Sequence, residues 1–407
     1  MIWPFNRSRP QRTSPRLSDP KSKLMFRDLT YRDPLQLPRV ELGDLESSTN
    51  SVWVEREAGP YPSPRTAPAF YDRASGGITN MAFGMPPIRP AVFIATLDDV
   101  LLTGTRGLVT SDSRYCFDEN FPTLDIQSIE TSRLGQPEYH LNQWMGFSSV
   151  GRPGVYQLRE EKPIIEIDEP IALLSSSEGP NFGAFIYRML PKVTALARMD
   201  NKIKILAPLY HETFRQFLIA AGIDDSRIIP HWLVDHWYRL KRVFVPSIRN
   251  RDVWFDDETI GLFDGMRMRH GRPHGGRKVY LSRKAIEGHP RKMVNEPELI
   301  DALVARGFEV VLPEQMTAVE QIGTFSSAET IVSAAGSAIY NAAFCYPGTR
   351  FIDIESEPHW INGHVRIFAS RGLNFGVYEG LALDTSGKPH VPFKVDVPGL
   401  MARLDSF

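Results

Sequence analysis

Cysteine is almost missing from this chain. Cys116 and Cys345 are its only two in 407 residues, too few and too far apart for a disulfide framework or a thiolate zinc site. Both are expected as buried, reduced thiols, in keeping with a reducing compartment. An excess of one charge is missing too. Lys and Arg number 47 against 48 Asp and Glu, a formal charge of −1, so no molecule-wide field gathers nucleic acid or anionic lipid. Any anion site must be local, and nucleic acid is not expected as a partner. Long apolar runs are also lacking. Even AVFIATLDDVLL is interrupted by Asp98 and Asp99, and nothing approaches the roughly 20 residues that span a bilayer. The opening MIWPFNRSRPQRTSPR has no apolar core of the about 7 to 15 residues that a secretion signal needs. The expected location is cytoplasmic, with peripheral contact at the inner membrane left open.

Several motifs are absent as well. There is no GxxxxGK[ST], no G-x-G-x-x-G and no G-x-S-x-G, which removes support for a P-loop, a dinucleotide-binding unit and a hydrolase elbow. No group of His, Cys and carboxylates has metal-ligand spacing, and no Asp-x-Asp lies in a strand-end loop. No cofactor and no metal are expected.

What is present is an ordinary globular composition, 42% apolar and 23% charged, in a chain longer than one core usually grows. Two domains follow. Residues 1–23 carry Arg7, Arg9, Arg12, Arg16, Lys21 and Lys23 against the single acid Asp19, the composition of a flexible arm. Residues 24–90 are rich in proline and show no sustained period, so 1–90 is read as a flexible or extended segment. From Ala91, β-branched residues and turn signals (TGTRG, TSDS) predict a small β-meander. PIIEI and IALLSS predict a buried strand pair. NFGAFIYRMLPKVTAL then repeats apolar residues at helical spacing, with Pro191 placed to kink the helix.

Strands and helices alternate from there, the pattern of βαβ units in a parallel sheet. KVYLSRK, FEVVLPE, ETIVSA, TRFIDIE and NFGVYEG are predicted strands. EPELIDALVARG, TAVEQIGTFSSA and GHVRIFASRG are predicted helices, the first two opening on capping boxes at Asn295–Glu298 and Thr317–Glu320. The predicted division is an amino-terminal domain over 91–245, a second α/β domain over 246–385, and a tail helix over 386–407. Ligands bind open parallel sheets at the carboxyl ends of the strands, so chemistry is sought in those loops.

Four features compete there. AAGS, residues 334–337, is a small-residue hinge whose Gly336 lets backbone approach a ligand and whose following helix offers free N–H groups to a phosphate; alternatively it is close strand-to-helix packing. Arg283 ends the strand KVYLS, where a guanidinium fork can chelate a diphosphate, although most of the basic stretch 265–284 is a solvated face. Glu320 and Gln321 open a helix, and the capping box with Thr317 accounts for Glu320. Asp353 suits a sugar hydroxyl or plain solvent, and His364 opens the helix beyond it.

The order of these pieces carries a resemblance. YLSRK, NE before a helix, GFEVVLPE, VEQI, AAGSAIYN, AFCYPGT and FIDIE, over about residues 175–380, resemble the DUF563 region of the family 61 glycosyltransferases, in a bacterial-type member. NFGAFIYRMLPKV resembles that family's helix of Asn, aromatic and Leu-Pro-basic. The resemblance implies an α/β, GT-B-like fold, two Rossmann-like domains facing across a cleft, preceded by a flexible basic arm and a small β-rich segment. It implies inverting, metal-independent transfer of a sugar from a nucleotide-diphosphate donor to a saccharide or glycolipid acceptor, in surface polysaccharide assembly. Ser282, Arg283, Gly336, Ser337, Asn341, Glu320, Gln321, Asp353 and Asn181 match family positions, and His364 joins them as a donor-site candidate. Ala184 and Ala335 stand where many members have His. Arg283 and the amides near Gly336 and Ser337 would stabilise the leaving diphosphate, and Glu178 or His211 would act as base. The alternative is a non-catalytic nucleotide or carbohydrate binding scaffold of the same fold.

Overall fold

The apolar strands of the second half line up into a wholly parallel, six-stranded sheet. In the computed structural model its order is Phe308–Val311, Arg277–Leu281, Ala328–Ala334, Arg350–Glu355, Asn374–Glu379 and Phe70–Asp72. The central three are buried almost throughout, as near-continuous Val, Ile, Leu and Phe runs require when helices cover both faces. The chain steps outward from Arg277–Leu281 to Phe308–Val311, then crosses back to Ala328–Ala334. That reversal makes the carboxyl ends of Arg277–Leu281 and Ala328–Ala334 the switch point of the sheet, the place where open parallel sheets form a ligand crevice. The structure describes residues 17–18, 27–61, 63–72, 89–104, 106–117, 146–152, 154–158, 161–175, 181–209, 211–231, 236–250, 254–286, 288, 291–356, 361–384 and 391–407.

The first half builds a 13-stranded mixed sheet. Four parallel strands stand in the order Ile228–Pro230, Lys204–Ala207, Ile171–Leu173 and Trp237–Pro246. The meander Val92–Thr103, Gly107–Val109 and Arg114–Cys116 continues it antiparallel. PIIEI and IALLSS are strands as predicted but do not pair with each other. Ile164–Ile167 and Ile171–Leu173 run in the same direction and pair one after the other with Trp237–Pro246.

The proline-rich opening segment, where described, forms short strands and two 3-10 turns, Pro34–Gln36 and Leu42–Asp44, and its strands pair into both large sheets. Ser51–Arg56 pairs with Val92–Thr103, with Val52 buried in the shared face. Leu29–Tyr31 joins Arg114–Cys116, Phe70–Asp72 edges the parallel sheet, and Leu17–Ser18, within the basic arm, pairs with Ile164–Ile167. Strand edges with unpaired backbone supply what hydrophobicity alone does not.

One apolar core runs between the sheets. Phe185, Phe214 and Phe217 of the first half pack with Phe263, Ile339 and Phe344 of the second, and the rings of Phe217 and Phe344 stack at 5.7 Å. Both cysteines are free and buried. No helix among the described residues is long and apolar enough to cross a membrane.

Candidate functional site

Arg283 leaves the end of Arg277–Leu281 and reaches over the crevice, donating from Nη1 to the carbonyl of Ala335 at 2.6 Å. Ala335 in turn donates its N–H to the Ile354 carbonyl at 2.8 Å. Three adjacent strand ends are thereby tied together at the crossing point. Burial and the nearby cation Arg291 lower the Arg283 pKa to about 10, opposed by Glu296, Glu314 and Glu355. The guanidinium stays charged at neutral pH, beside a second guanidinium, where an anion is favoured.

Glu296 fixes the base of this arginine. Its Oε1 accepts from Tyr280 Oη at 3.0 Å, Ser282 Oγ at 2.8 Å and the Arg283 N–H at 3.3 Å. Ser282 is fully buried, so its hydroxyl orients the loop and does not face the crevice.

Gly336 has φ 167, an extended conformation open to any residue, so its need for glycine is spatial. A Cβ there would lie 2.9 Å from Arg283 Nη1. The helix that follows, Ser337–Phe344, is of the tighter 3-10 type, and its first amides have no partner within the helix. Ser337 Oγ donates to Asn181 Oδ1 at 3.3 Å. Asn181 caps the first-half helix by accepting from the N–H groups of Gly183 and Ala184, so the carboxyl-end loops of the two sheets meet there. Lys192, fully buried, ties the same region to its strand by donating from Nζ to the Ser175 carbonyl at 2.8 Å.

Gln321 and Asn341 are buried and turn to each other. Asn341 Nδ2 donates to Gln321 Oε1 at 2.8 Å, and Gln321 Nε2 donates to the carbonyls of Pro313 and Met316. Glu320 sits on the surface and completes the capping box with Thr317. The exposed ring of His211 packs edge-on to Phe214 at 5.4 Å, and shielding on that side lowers its pKa. Glu178 lies outside the described residues.

Asp353 and His364, expected at the donor site, are both buried and paired, with His364 Nδ1 2.8 Å from Asp353 Oδ2. Glu355, one strand repeat on, joins them with Oε1 3.2 Å from the same nitrogen. Burial opposes the His364 imidazolium, but the two carboxylates outweigh it and hold the pKa up, to about 9. Burial and the Asp353 carboxylate hold the Glu355 carboxyl above its ordinary value. Tyr340 closes this cluster from the cleft side, edge-on to His364 at 5.6 Å and stacked on Tyr187 of the first half at 5.3 Å.

The sequence reading missed Glu296, Arg291 and Glu355, and in finding no metal-ligand spacing it overlooked Asp353, Glu355 and His364, whose ligand atoms lie within 4.8 Å of one another. The alternation of FIDIE carried a signal for Glu355, because residues two apart on a strand share a face. Nothing local announced Arg291, whose charge acts on Arg283.

The family model described as Glycosyltransferase 61 matches residues 117–352, more than half of the chain. No curated protein matches the chain at a significant level.

Proposed function

Because the chain belongs to the glycosyltransferase 61 family, we propose that the crevice between Arg283 and Gly336 holds the diphosphate of a nucleotide-sugar donor. The protein transfers that sugar, with inversion, to a saccharide or glycolipid acceptor. The observation that carries this reading is the placement of Arg283 over the Ala335 carbonyl, at the point where the parallel sheet reverses its strand order.

In a direct displacement, the acceptor oxygen attacks the anomeric carbon as the bond to the diphosphate oxygen breaks. Charge grows on the leaving group, and fixed donors aimed at it lower the barrier. Arg283, with Arg291 behind it, supplies positive charge without an Asp-x-Asp motif at a strand end. The opening amides of Ser337–Phe344 supply dipoles. The facing loops at Asn181 and Ser337 support a GT-B-like arrangement in which the acceptor enters from the first half. The base would come from that half, with His211 and Glu178 as candidates, and the proposed setting is surface polysaccharide assembly in the cytoplasm.

A panel of nucleotide sugars, read by donor hydrolysis and transfer, tests this. Arg283→Ala should lower kcat by about 100- to 1000-fold, as loss of one preorganised donor does, with unfolding unchanged. Nucleotide binding without turnover under every acceptor would favour the scaffold instead.

A further inference from the structure

Behind the crevice lies a group that the proposed transfer does not use. Asp353 and Glu355 project from the same face of Arg350–Glu355, and the helix Ile361–Arg371 brings His364 onto that face. One atom from each lies within 4.8 Å of the others. All three residues are buried, Asp353 and Glu355 with no exposed surface and His364 at 3%.

The hydrogen bonding of this cluster does not close. His364 Nδ1 has one proton to give, and Asp353 Oδ2 at 2.8 Å takes it. Asp353 Oδ1, Glu355 Oε1 and Glu355 Oε2 are buried without any hydrogen-bond partner. Glu355 Oε1, although 3.2 Å from Nδ1, lacks hydrogen-bond geometry. The register neighbour of Glu355 on the next strand is a further acid, Glu379. Buried carboxylate oxygens without donors cost several kcal/mol unless paired or bound to a metal.

We propose that Asp353, Glu355 and His364 form a divalent-cation site, with both Glu355 oxygens, Asp353 and His364 Nδ1 as ligands. Ligand atoms of different residues, each about 2.1 Å from a six-coordinate ion, stand about 3 Å apart along a shared edge, and the two observed separations are 2.8 and 3.2 Å. Two carboxylates with one imidazole suit Mn2+, Fe2+, Co2+ or Zn2+ better than Ca2+, which favours an all-oxygen shell. The ion is enclosed, with Tyr340 between His364 and Tyr187. It therefore does not touch the diphosphate, and it braces the strand whose Ile354 carbonyl holds Ala335. The three ligands lie beyond residue 352, where the family match ends.

The test is metal content of the full chain, purified without chelator and again after dialysis against EDTA. About one transition ion per chain is expected, lost in His364→Ala and in the isosteric Glu355→Gln. The chelated protein should melt a few degrees lower, with recovery on adding Mn2+ or Zn2+ but not Ca2+. Added Co2+ should give a visible absorption band in wild type that both variants lose. An ion-free protein with no Co2+ band and no melting shift would overturn the site. So would a Glu355→Gln variant more stable than wild type in saturating Mn2+ or Zn2+, since that would mark Glu355 as an unpaired acid.

Discussion

A methyl group at position 336 would sit 2.9 Å from Arg283 Nη1 and 3.1 Å from Cζ. The backbone there is extended, so Gly336→Ala brings no strain of its own, and the clash falls on the far end of a long, movable side chain. Arg283 must swing away and give up its bond to the Ala335 carbonyl. The expected outcome is a split: unfolding free energy changed by less than about 1 kcal/mol, and kcat/KM for the donor lowered by at least about tenfold. Denaturation and steady-state kinetics on the same preparation check it, and an unaltered kcat/KM would remove Arg283 from the site. Arg283 and Gly336 were both legible, because each ends an apolar run and strand-end loops gather at one edge of a parallel sheet. Their contact was not. It depends on the strand order, which places Ala328–Ala334 beside Arg277–Leu281 and not beside Phe308–Val311.

The helical segment beginning at Asn181 shows how local signals and distant contacts divide the work. Its apolar spacing and the effect of Pro191 were readable. The chain passes through a widened π turn at Phe185–Met189 and a 3-10 turn at Leu190–Lys192 before resuming as Val193–Leu196. The widened turn lies just before the proline, whose ring and missing N–H break regular bonding. The capping box at Thr317 also formed as read. Asn295 did not form one. It stands at the cap position, but its amide clamps Val395, 100 residues away, accepting from the N–H and donating to the carbonyl, a partner no local pattern reveals. Gly183 carries the same lesson as a prediction. In a helix Ala should gain up to about 1 kcal/mol over Gly, yet a Cβ here would lie 2.8 Å from Tyr340 Cδ2 and Cε2. That ring is held by Tyr187 on its face and His364 at its edge. Overpacking against a held ring costs about 1 to 3 kcal/mol, so Gly183→Ala should destabilise on chemical denaturation. A stabilised variant would show that Tyr340 is free to move and does not join the halves.

The two sheets meet through a charged knot as well as an apolar core. Arg249, with a side chain 1% exposed, lies where the chain leaves Trp237–Pro246 for the parallel half. It donates to both oxygens of Glu55, at 2.7 and 3.0 Å, and to Asp256 Oδ2 at 3.1 Å. Glu55 belongs to the opening segment, paired into the first sheet. Asp256 caps the helix Asp257–His270 by accepting from Thr259 and also receives Arg56 at 2.7 Å. Opening segment, junction and second half thus share one cation. Removing a single member of a buried charge network costs about 3 to 5 kcal/mol, because the partners stay buried and unpaired. Arg249→Met should therefore lower the melting temperature markedly at neutral pH. Acid separates this from a general packing loss. Burial alone would raise the Asp256 pKa, but Arg249, Thr259 and Arg56 more than offset it and hold it below the ordinary value. A carboxyl whose folded pKa lies below its unfolded pKa stabilises fully above the unfolded value and loses that contribution as pH falls through the folded one. Wild type should lose stability steeply below pH about 4, and Arg249→Met, with less left to lose, should show a lower but flatter curve. Parallel melting curves across pH 7 to 3 measure both effects, and equal slopes would mean that the knot does not hold the junction.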